Sequence, residues 1–284
     1  MKPAVSAIVI LLCCGGIAPA QQSWTAKWIA APWSTERDGA ELDGSRPMPV
    51  FSRQFTARPG VVSATLRIAG LGQYEARING AAVAPNGLHQ AWTNYRKTVT
   101  YDSWDLTKTV QQGRNVLSVM LGNGMYNAQQ TKGRYTKFVG SFGVPKIAAE
   151  LRLQYANGSL EVISTDAQWR VAPGPVVFSS AYGGEDYNAQ RIPKDWGLPG
   201  FSDAAWAPAM LTEGPGGHLT AALAPDVREV KRFAPVATTT LSANRTVFDF
   251  GQNFAGWPMV RVSGPPGAVL RLTPGELLNP DGTV

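Results

Sequence analysis

The residues best suited to chemistry form a short polar run after two glycines, Gly183–Gln190 (G-G-E-D-Y-N-A-Q). Glu185 and Asp186 are adjacent carboxylates. Cleavage of a glycosidic bond needs two carboxyl groups, about 5–5.5 Å apart for retention of configuration or about 6.5–9.5 Å apart for inversion. Because neighbours in an extended chain point to opposite faces, we do not expect these two to converge on one sugar. The second carboxylate of such a pair could instead come from elsewhere in the sequence, for example from Asp249, and this alternative stays open.

Two other interpretations of the same run compete with catalysis. In the first, the run is a structural turn in which Glu185 accepts hydrogen bonds from backbone N–H groups. In the second, Glu185, Asp186 and Asn188 form a cluster of oxygen ligands of the kind that calcium prefers. The residue types fit both, and the sequence favours the structural role for this loop.

Aromatic side chains supply a second set of candidates, because the sequence contains nine tryptophans and eight tyrosines. Trp92, Tyr95 and Tyr126 could line a platform for a sugar ring, and Tyr187 stands beside the two carboxylates. Aromatic rings also dominate protein cores, so we expect at least two of the first three to be core residues. The two histidines of the sequence lie far apart and lack the spacing of metal ligands.

The first 20 residues have the features of a secretory signal peptide. Lys2 precedes an apolar run, Ala4–Leu12, and Ala18-Pro19-Ala20 fits the small–x–small cleavage rule. Cleavage is therefore predicted before Gln21, and the mature protein is predicted to be secreted or periplasmic. Both cysteines of the sequence lie inside this segment, so we expect no disulfide and no thiol chemistry afterwards.

The formal net charge is +6 at pH 7, spread along the chain without a block of lysine or arginine. This pattern favours an ordinary solvated surface, and it leaves attraction to an acidic polysaccharide as the alternative. No nucleic-acid-binding motif accompanies the charge. No later segment approaches the roughly 20 apolar residues of a membrane span. We expect neither nucleic acid nor a membrane as a partner.

The elements that must position these candidates are short β-strands. Apolar and polar residues alternate with period two in several runs separated by glycine, proline and Asn-Gly turns, and no amphipathic segment is long enough to be a core helix. One capped helical turn is predicted at Ser103–Leu106. The predicted strands are Val50–Phe55, Val62–Ile68, Gln73–Ile78, Thr98–Tyr101, Val116–Leu121, Ala148–Tyr155, Leu160–Ser164 and Trp169–Val171, the last as a continuation of the preceding hairpin. The predicted fold is all-β, a sandwich or jelly roll.

The end of the chain predicts a further set of strands. Thr246–Trp257 begins with a strand that carries Asp249, and Met259–Val262 and Val269–Leu272 alternate as a following pair. Asn279–Gly282 is a turn signal. A turn implies a following strand, and none follows in the sequence. We therefore expect this polypeptide to be the front part of a larger protein.

These patterns divide the chain into three parts. Residues 1–20 are the predicted signal peptide, and residues 21–215 form a first β-sandwich. A linker rich in glycine and proline at Leu211–Gly217 leads into residues 216–284, the first part of a second β-sandwich that is incomplete within this sequence.

Several motifs, taken in order, give the sequence a family resemblance. The motifs are G-L-G-Q-Y-E at 70–75, W-T-N-Y-R-K at 92–97, L-G-N-G-M-Y at 121–126, W-G-L-P-G-F-S-D-A-A-W at 196–206, D-F-G-Q-N-F-A-G-W at 249–257 and G-E-L-L-N-P-D-G-T at 275–283. Together they resemble the amino-terminal region of the bacterial α-L-rhamnosidases of glycoside hydrolase family 78. One departure is Met125, where many relatives have tryptophan.

The resemblance implies a jelly-roll or galactose-binding-like β-sandwich followed by the start of a second, incomplete β-sandwich. It also implies that the full enzyme hydrolyses terminal α-L-rhamnosyl bonds with inversion, using acids in an α/α barrel downstream. We therefore assign no catalytic residue to this chain. Its implied partners are the downstream catalytic domain and rhamnose-containing glycosides or polysaccharides.

Some members of this family bind rhamnose through a calcium-dependent sandwich, so calcium is the one cofactor that the resemblance suggests, and none is required. The candidate carbohydrate-binding residues are Trp92, Tyr95, Tyr126, Glu185, Asp186, Tyr187 and Asn188. Two alternatives stay open. The chain could be a stand-alone carbohydrate-binding module, or a self-contained glycosidase that uses Glu185, Asp186 or Asp249.

Overall fold

The computed structural model describes most of the chain after the predicted signal peptide. The predicted cleavage before Gln21 lies outside the described residues. Within the part that is described, the chain forms β-strands and one 3-10 turn, and no helix is long and apolar enough to cross a bilayer. The described residues are 24–34, 47–84, 89–128, 130–191, 195–225 and 227–284.

Nineteen strands form in these residues, with a 3-10 turn at Ala189–Arg191. The strands are β1 (Trp28–Ala30), β2 (Pro49–Ala57), β3 (Val61–Leu71), β4 (Gln73–Ile78), β5 (Ala81–Ala82), β6 (Thr98–Asp105), β7 (Gly113–Gly122), β8 (Asn127–Ala128), β9 (Gly140–Ser141), β10 (Lys146–Tyr155), β11 (Leu160–Ser164), β12 (Arg170–Pro173), β13 (Val176–Ser180), β14 (Gly184–Tyr187), β15 (Ala207–Pro208), β16 (Met210–Thr212), β17 (His218–Ala221), β18 (Ala237–Ser242) and β19 (Arg245–Asp249). The prediction of an all-β fold is confirmed.

Two large sheets face each other as a sandwich. The first has the order β16-β1-β10-β3-β6-β17, with β11 paired to β10, and the second has the order β15-β12-β2-β7-β4-β5. Alternation along β3 turns Leu66 and Ile68 inward, where they share one core with Phe51 and Leu117 of the second sheet. All four side chains are fully buried.

The first sheet is also covered on its outer face, near the site described below. Ala69 and Leu71 lie near the end of β3, and a smaller core forms over them with Tyr95, Val99 and Tyr126. This second layer is the reason that β3 is buried continuously at its end instead of alternating. Two segments supply it, the one that precedes β6 and the one that precedes β8.

A buried ion pair joins β3 to β10. Arg67 and Glu150 stand directly opposite each other in the antiparallel register and are in contact. The backbone N–H and the hydroxyl of Thr25 also donate to the Glu150 carboxylate, the hydroxyl at 2.9 Å, and the Trp24 ring lies 4.7 Å from the guanidinium. Burial alone would raise the pKa of Glu150, but the bonds from Arg67 and Thr25 outweigh it and lower that pKa.

The Trp196–Trp206 run packs on the outer face of the second sheet. The Asp203 carboxylate accepts hydrogen bonds of 2.9 Å from the Ser52 hydroxyl and the Gln54 amide, both on β2. Since these polar side chains point away from the core, the run gives the sheet a polar cover.

Two predicted turns are confirmed. Asn79 and Gly80 connect β4 to β5 with φ values of 52° and 82°, the positive angles of a two-residue hairpin turn. The Asn157-Gly158 turn joins β10 to β11.

Two local predictions were wrong. Ser103–Leu106 does not begin a helical turn, because Trp104 pairs with Leu66 and extends β6 to Asp105. Trp169–Val171 does not continue the hairpin of β10 and β11. Its strand, β12, pairs with β2 in the opposite sheet instead.

The last part of the chain contains a single hairpin, β18–β19, and the predicted strand that carries Asp249 is confirmed as β19. The strands predicted at Met259–Val262 and Val269–Leu272 do not form within residues 250–284, all of which are described. Met259 is 73% exposed and Val269 is 92% exposed. Packing of an apolar face against a second layer is a main source of strand stability, and no described residue covers these faces.

Strand β17 bears on the predicted division between residues 215 and 216. Its residues belong to the predicted second sandwich, yet it pairs with β6, in parallel, at the edge of the first sheet. Leu219 packs against the smaller core. The first sheet therefore contains residues from both sides of the predicted division. The division of the chain into two domains at this point stays a prediction.

Candidate functional site

The predicted site residues occupy two places that are linked by one connection, residues 130–139 between β8 and β9, which we call the β8–β9 loop. At one end, Arg134 bonds to Asp186, with 2.5 Å between guanidinium nitrogen and carboxylate oxygen, and to the Gly183 carbonyl at 3.2 Å. At the other end, the Phe138 ring lies 5.9 Å from that of Trp92. The carboxylate run and the Trp92 region thus share one surface.

Asn123, in the L-G-N-G-M-Y motif, anchors the hairpin β13–β14. Its side-chain amide donates to the Ser179 carbonyl at 2.8 Å, and its backbone N–H donates to the Ser179 hydroxyl at 3.2 Å. Asn127 donates to the Asn123 side-chain oxygen at 3.0 Å. Asn123 is only 1% exposed. This motif therefore has a positioning role, since it fixes the hairpin that carries Glu185 and Asp186.

Glu185 and Asp186 lie on opposite faces of β14, as expected for neighbours in a strand. Asp186 points to Arg134. Glu185 lies on the side of Glu75, a residue of β4, and partial burial together with the carboxylates of Glu75 and Asp186 raises the pKa of Glu185. Partial burial also raises the pKa of Tyr187, with help from Glu185 and Glu75. The two predicted acids therefore do not face each other as a hydrolytic pair would.

The predicted calcium ligands are Glu185, Asp186 and Asn188. Arg134 already holds one Asp186 oxygen, and the Asn188 side-chain oxygen accepts a 3.0 Å bond from the Gln190 N–H. Among the described residues, no group of three or more histidine, cysteine, aspartate or glutamate side chains could hold a metal ion. Two of the three candidate ligands thus already have partners within the protein, and calcium binding at these residues stays a prediction.

Asp249, the proposed external partner, has a local role of its own. It lies on β19, in the separate two-stranded sheet β18–β19. Its carboxylate accepts a 2.7 Å hydrogen bond from the Gly251 N–H, which closes the turn after the strand. This is the role of a turn residue.

The three aromatic candidates divide into two kinds. Tyr95 and Tyr126 are 4% and 1% exposed and meet edge to face with ring centres 5.0 Å apart. Burial raises the pKa of Tyr95 to about 12. Both belong to the smaller core, as expected for at least two of the three. Trp92, by contrast, is 57% exposed and is free to meet a ligand.

Trp92 stands at an open cleft that we call the Trp92 cleft. Its volume is about 580 Å³, and its lining residues are Trp92, Thr93, Asn94, Arg96 and Phe142. The Phe142 ring rests on Tyr95 and Tyr126, with ring centres 5.3 and 6.0 Å away. The two buried tyrosines thus lie beneath Phe142 and support it where it lines the cleft.

Sequence reasoning missed Arg134, Phe138 and Phe142, which connect and line these places. A signal was present, because basic and aromatic residues alternate through K-G-R-Y-T-K-F-V-G-S-F at residues 132–142. The segment carries three aromatic rings and no acid. Such a pattern in a loop is unusual for core packing, and the structure exposes Tyr135, Phe138 and Phe142.

Comparison with known proteins adds a second line of observation. Residues 60–231 match the family described as the α-L-rhamnosidase N-terminal domain. Residues 239–284 match the bacterial α-L-rhamnosidase concanavalin-like domain. The α-L-rhamnosidase of Streptomyces avermitilis is 33% identical over 269 residues, covering 92% of this chain and 25% of that protein.

Solved structures agree. The α-L-rhamnosidase from Dictyoglumus thermophilum has a TM-score of 0.71 and 32% identity, covering 82% of this chain and 26% of that one. The Streptomyces avermitilis α-L-rhamnosidase complexed with L-rhamnose has a TM-score of 0.72 and 31% identity, covering 84% of this chain and 23% of that one. The present chain thus spans about a quarter of the length of these relatives.

Proposed function

The chain belongs to the α-L-rhamnosidase N-terminal domain family, and from that premise we propose that it is the non-catalytic β-sandwich portion of a secreted α-L-rhamnosidase. The observation that carries the proposal is the family match over residues 60–231. In this proposal, the enzyme hydrolyses terminal α-L-rhamnosyl bonds, and the catalytic acids come from a part of the enzyme beyond the β-sandwiches. Secretion is supported by the predicted signal peptide.

The placement of the acids supports a non-catalytic role. Hydrolysis of a glycoside needs two carboxyl groups that flank the scissile bond. Asp186 is neutralised by Arg134, Asp249 closes a turn, and Glu185 points away from Asp186 across β14. Neither Glu185 nor Asp249 lines the Trp92 cleft.

The same proposal assigns saccharide binding to the Trp92 cleft. An exposed indole offers a flat apolar face to the C–H side of a sugar ring, and Thr93 and Asn94 supply hydrogen-bonding groups on the same lining. Rhamnose-containing glycosides are the proposed ligand class, supported by the relative that was solved in complex with L-rhamnose. Calcium is a proposed cofactor of binding and is tested with it.

A supporting role toward a catalytic domain is the remaining part of the proposal. Residues 239–284 match the concanavalin-like domain and expose apolar side chains such as Phe248, Trp257 and Leu277. Exposed apolar surface on this scale marks a contact surface. We propose that further parts of the enzyme cover it.

An activity assay tests the non-catalytic role. The chain is incubated with a chromogenic α-L-rhamnoside, and no release above the blank is expected. The variant Glu185→Gln is run beside it and should behave identically. Turnover by the chain that disappears in Glu185→Gln would overturn the proposal in favour of a self-contained glycosidase.

Calorimetric titration tests saccharide binding. Rhamnose and short rhamnosides are titrated with and without calcium into the chain and into two matched variants, Trp92→Ala and Trp257→Ala. Loss of the cleft indole should weaken binding by about fivefold, because an aromatic contact contributes roughly 1 kcal/mol. Trp257→Ala removes an exposed indole outside the cleft and should change nothing. Absence of heat at millimolar sugar contradicts the binding role.

A further inference from the structure

The Trp92 cleft lies in a concentration of positive charge. The segments 92–97 and 132–142 contain no aspartate or glutamate. Only one of their five cations, Arg134, forms an ion pair within the described part of the chain. The other four side chains are exposed to solvent. The five cations are Arg96, Lys97, Lys132, Arg134 and Lys137.

Nearby acids do not neutralise this charge. Asp186 is the partner of Arg134. Asp102, on β6, faces the interior, where it accepts a 2.5 Å hydrogen bond from the Tyr74 hydroxyl, and is 9% exposed. No carboxylate is among the residues that line the cleft, whereas Arg96 is.

Arg96 is the cation that lines the cleft itself, together with Trp92 and Phe142. No hydrogen bond or ion pair among the described residues engages its guanidinium, which leaves the donors available. A guanidinium presents a planar fork that matches a carboxylate with two parallel hydrogen bonds. An indole face beside such a fork suits a sugar ring that carries a carboxylate.

We infer that the Trp92 cleft selects anionic saccharides, in which a uronic acid residue places its carboxylate on Arg96 and an adjoining sugar face lies on Trp92. This inference rests on the proposed saccharide-binding role and narrows its ligand class. The surrounding lysines add attraction at longer range, which salt screens over about 10 Å at 0.1 M.

The test compares two forms of one ligand. The first is an oligosaccharide in which rhamnose alternates with a hexuronic acid. The second is the same oligosaccharide after reduction of each carboxyl group to a primary alcohol. Titrated into the full chain at pH 7 and 0.1 M NaCl, the acidic form should bind about tenfold more tightly. At 1 M NaCl this preference should shrink, because screening shortens to about 3 Å.

Two charge-removing variants locate the effect. Arg96→Gln should bring the affinities of the two forms within about threefold of each other. Lys108→Gln is the matched control, because it removes the same charge from an exposed side chain. Arg96 lies two residues before β6 and Lys108 lies three residues after it, and the two ends of this strand are about 23 Å apart. The preference should be unchanged in this control.

The outcomes distinguish the preference for anionic saccharides from saccharide binding itself, on which that preference rests. Equal affinity for both forms overturns the anionic preference and leaves saccharide binding in place. Failure of both forms to bind overturns both. Equal loss of preference in Arg96→Gln and Lys108→Gln, or equally tight binding of poly-L-glutamate, would reduce the effect to net charge and overturn the role of the cleft.

Discussion

The two-sheet sandwich and residues 227–284 contain the same kind of sequence and reach different states. Leu66 and Ile68 alternate with polar neighbours along β3 and are fully buried. Val260 and Val262 alternate in the same way and are 51% and 65% exposed. Alternation therefore sets which side chains share a face, but that face is buried only where a second layer covers it.

Pairing makes the same distinction at the level of the backbone. Strand β3 has partners on both sides, β10 and β6, and the opposite sheet covers its inner face. The hairpin β18–β19 has no further strand beside it in the described chain. An isolated two-stranded hairpin is marginally stable in water. The predictions below test whether the two regions differ in stability as much as they differ in burial.

Hydrogen exchange should show the largest difference. Amides in the middle of β7, Leu117 and Val119, should exchange at least about a thousandfold more slowly than an unfolded chain, because they open only with the whole sandwich. Amides at Val269–Leu272 should exchange almost as fast as in an unfolded peptide. Mass spectrometry of peptic fragments measures both. Slow exchange at Val269–Leu272 would mean that a sheet forms there.

The next largest difference should come from removing one arginine in each region and comparing the loss of stability. Arg67→Met removes the arginine that hydrogen-bonds to the buried Glu150 carboxylate and leaves Arg152, 3.6 Å away, as its remaining ion-pair partner. We expect the free energy of unfolding to fall by about 3 kcal/mol. Arg232→Met breaks the exposed ion pair with Glu229 and should cause no measurable change in the free energy of unfolding. Denaturant titration reports both.

The double variant Arg67→Met/Glu150→Leu provides the control for the buried pair. It removes the stranded charge, so it should recover much of the lost stability. A drop below about 1 kcal/mol in the single variant would contradict the assignment of Arg67 as the principal counter-ion of Glu150.

A matched pair of leucine truncations gives the next effect. Leu66→Ala opens a cavity between the sheets and should cost about 2–5 kcal/mol. Leu277 is 87% exposed, so Leu277→Ala should stay within about 0.5 kcal/mol of the parent chain. Both are read from the midpoint of denaturant unfolding. Similar losses in the two variants would show that residues 227–284 are packed in solution.

The smallest of these effects is a decrease in the free energy of unfolding at high pH that comes from ionisation of a buried tyrosine. Residues 227–284 contain no tyrosine, so this effect belongs to the sandwich. Burial raises the pKa of Tyr95 to about 12. Its contribution is complete below the ordinary tyrosine pKa of about 10 and is lost as the pH rises to about 12, a change of about 2–3 kcal/mol.

Tyr95→Phe is the matched control, because it keeps the ring and removes the ionisable hydroxyl. The difference in unfolding free energy between parent and variant should change between about pH 10 and 12 and then level off. A constant difference across this range would contradict the burial of the Tyr95 hydroxyl.

Much of the sandwich could be predicted because its signals are local. Asn79-Gly80 specifies a two-residue hairpin through its positive φ angles, and the alternation in Val62–Ile68 specifies the inward face of β3. Partner choice is not local. Nothing near Trp169 indicates that its strand crosses to the opposite sheet, and the register with β3 decides that Trp104 continues β6.

The candidate site shows the same limit. The local sequence does not distinguish Trp92, Tyr95 and Tyr126 as candidates. Tertiary packing alone decides that the two tyrosines are buried and that the tryptophan is exposed. The separation of Glu185 from Asp186 followed from strand geometry. The contact between Arg134 and Asp186 joins residues 52 positions apart, which no local pattern reveals.

Strand β17 has a consequence for how the sandwich can be prepared by itself. It runs parallel along the free side of β6, from Thr98 to Tyr101, and occupies the backbone groups of that edge. A recombinant fragment ended at residue 215 would strip this cover and present a bare edge that recruits strands from neighbouring molecules. Expression boundaries placed after residue 222 would keep the edge capped and favour a monodisperse preparation.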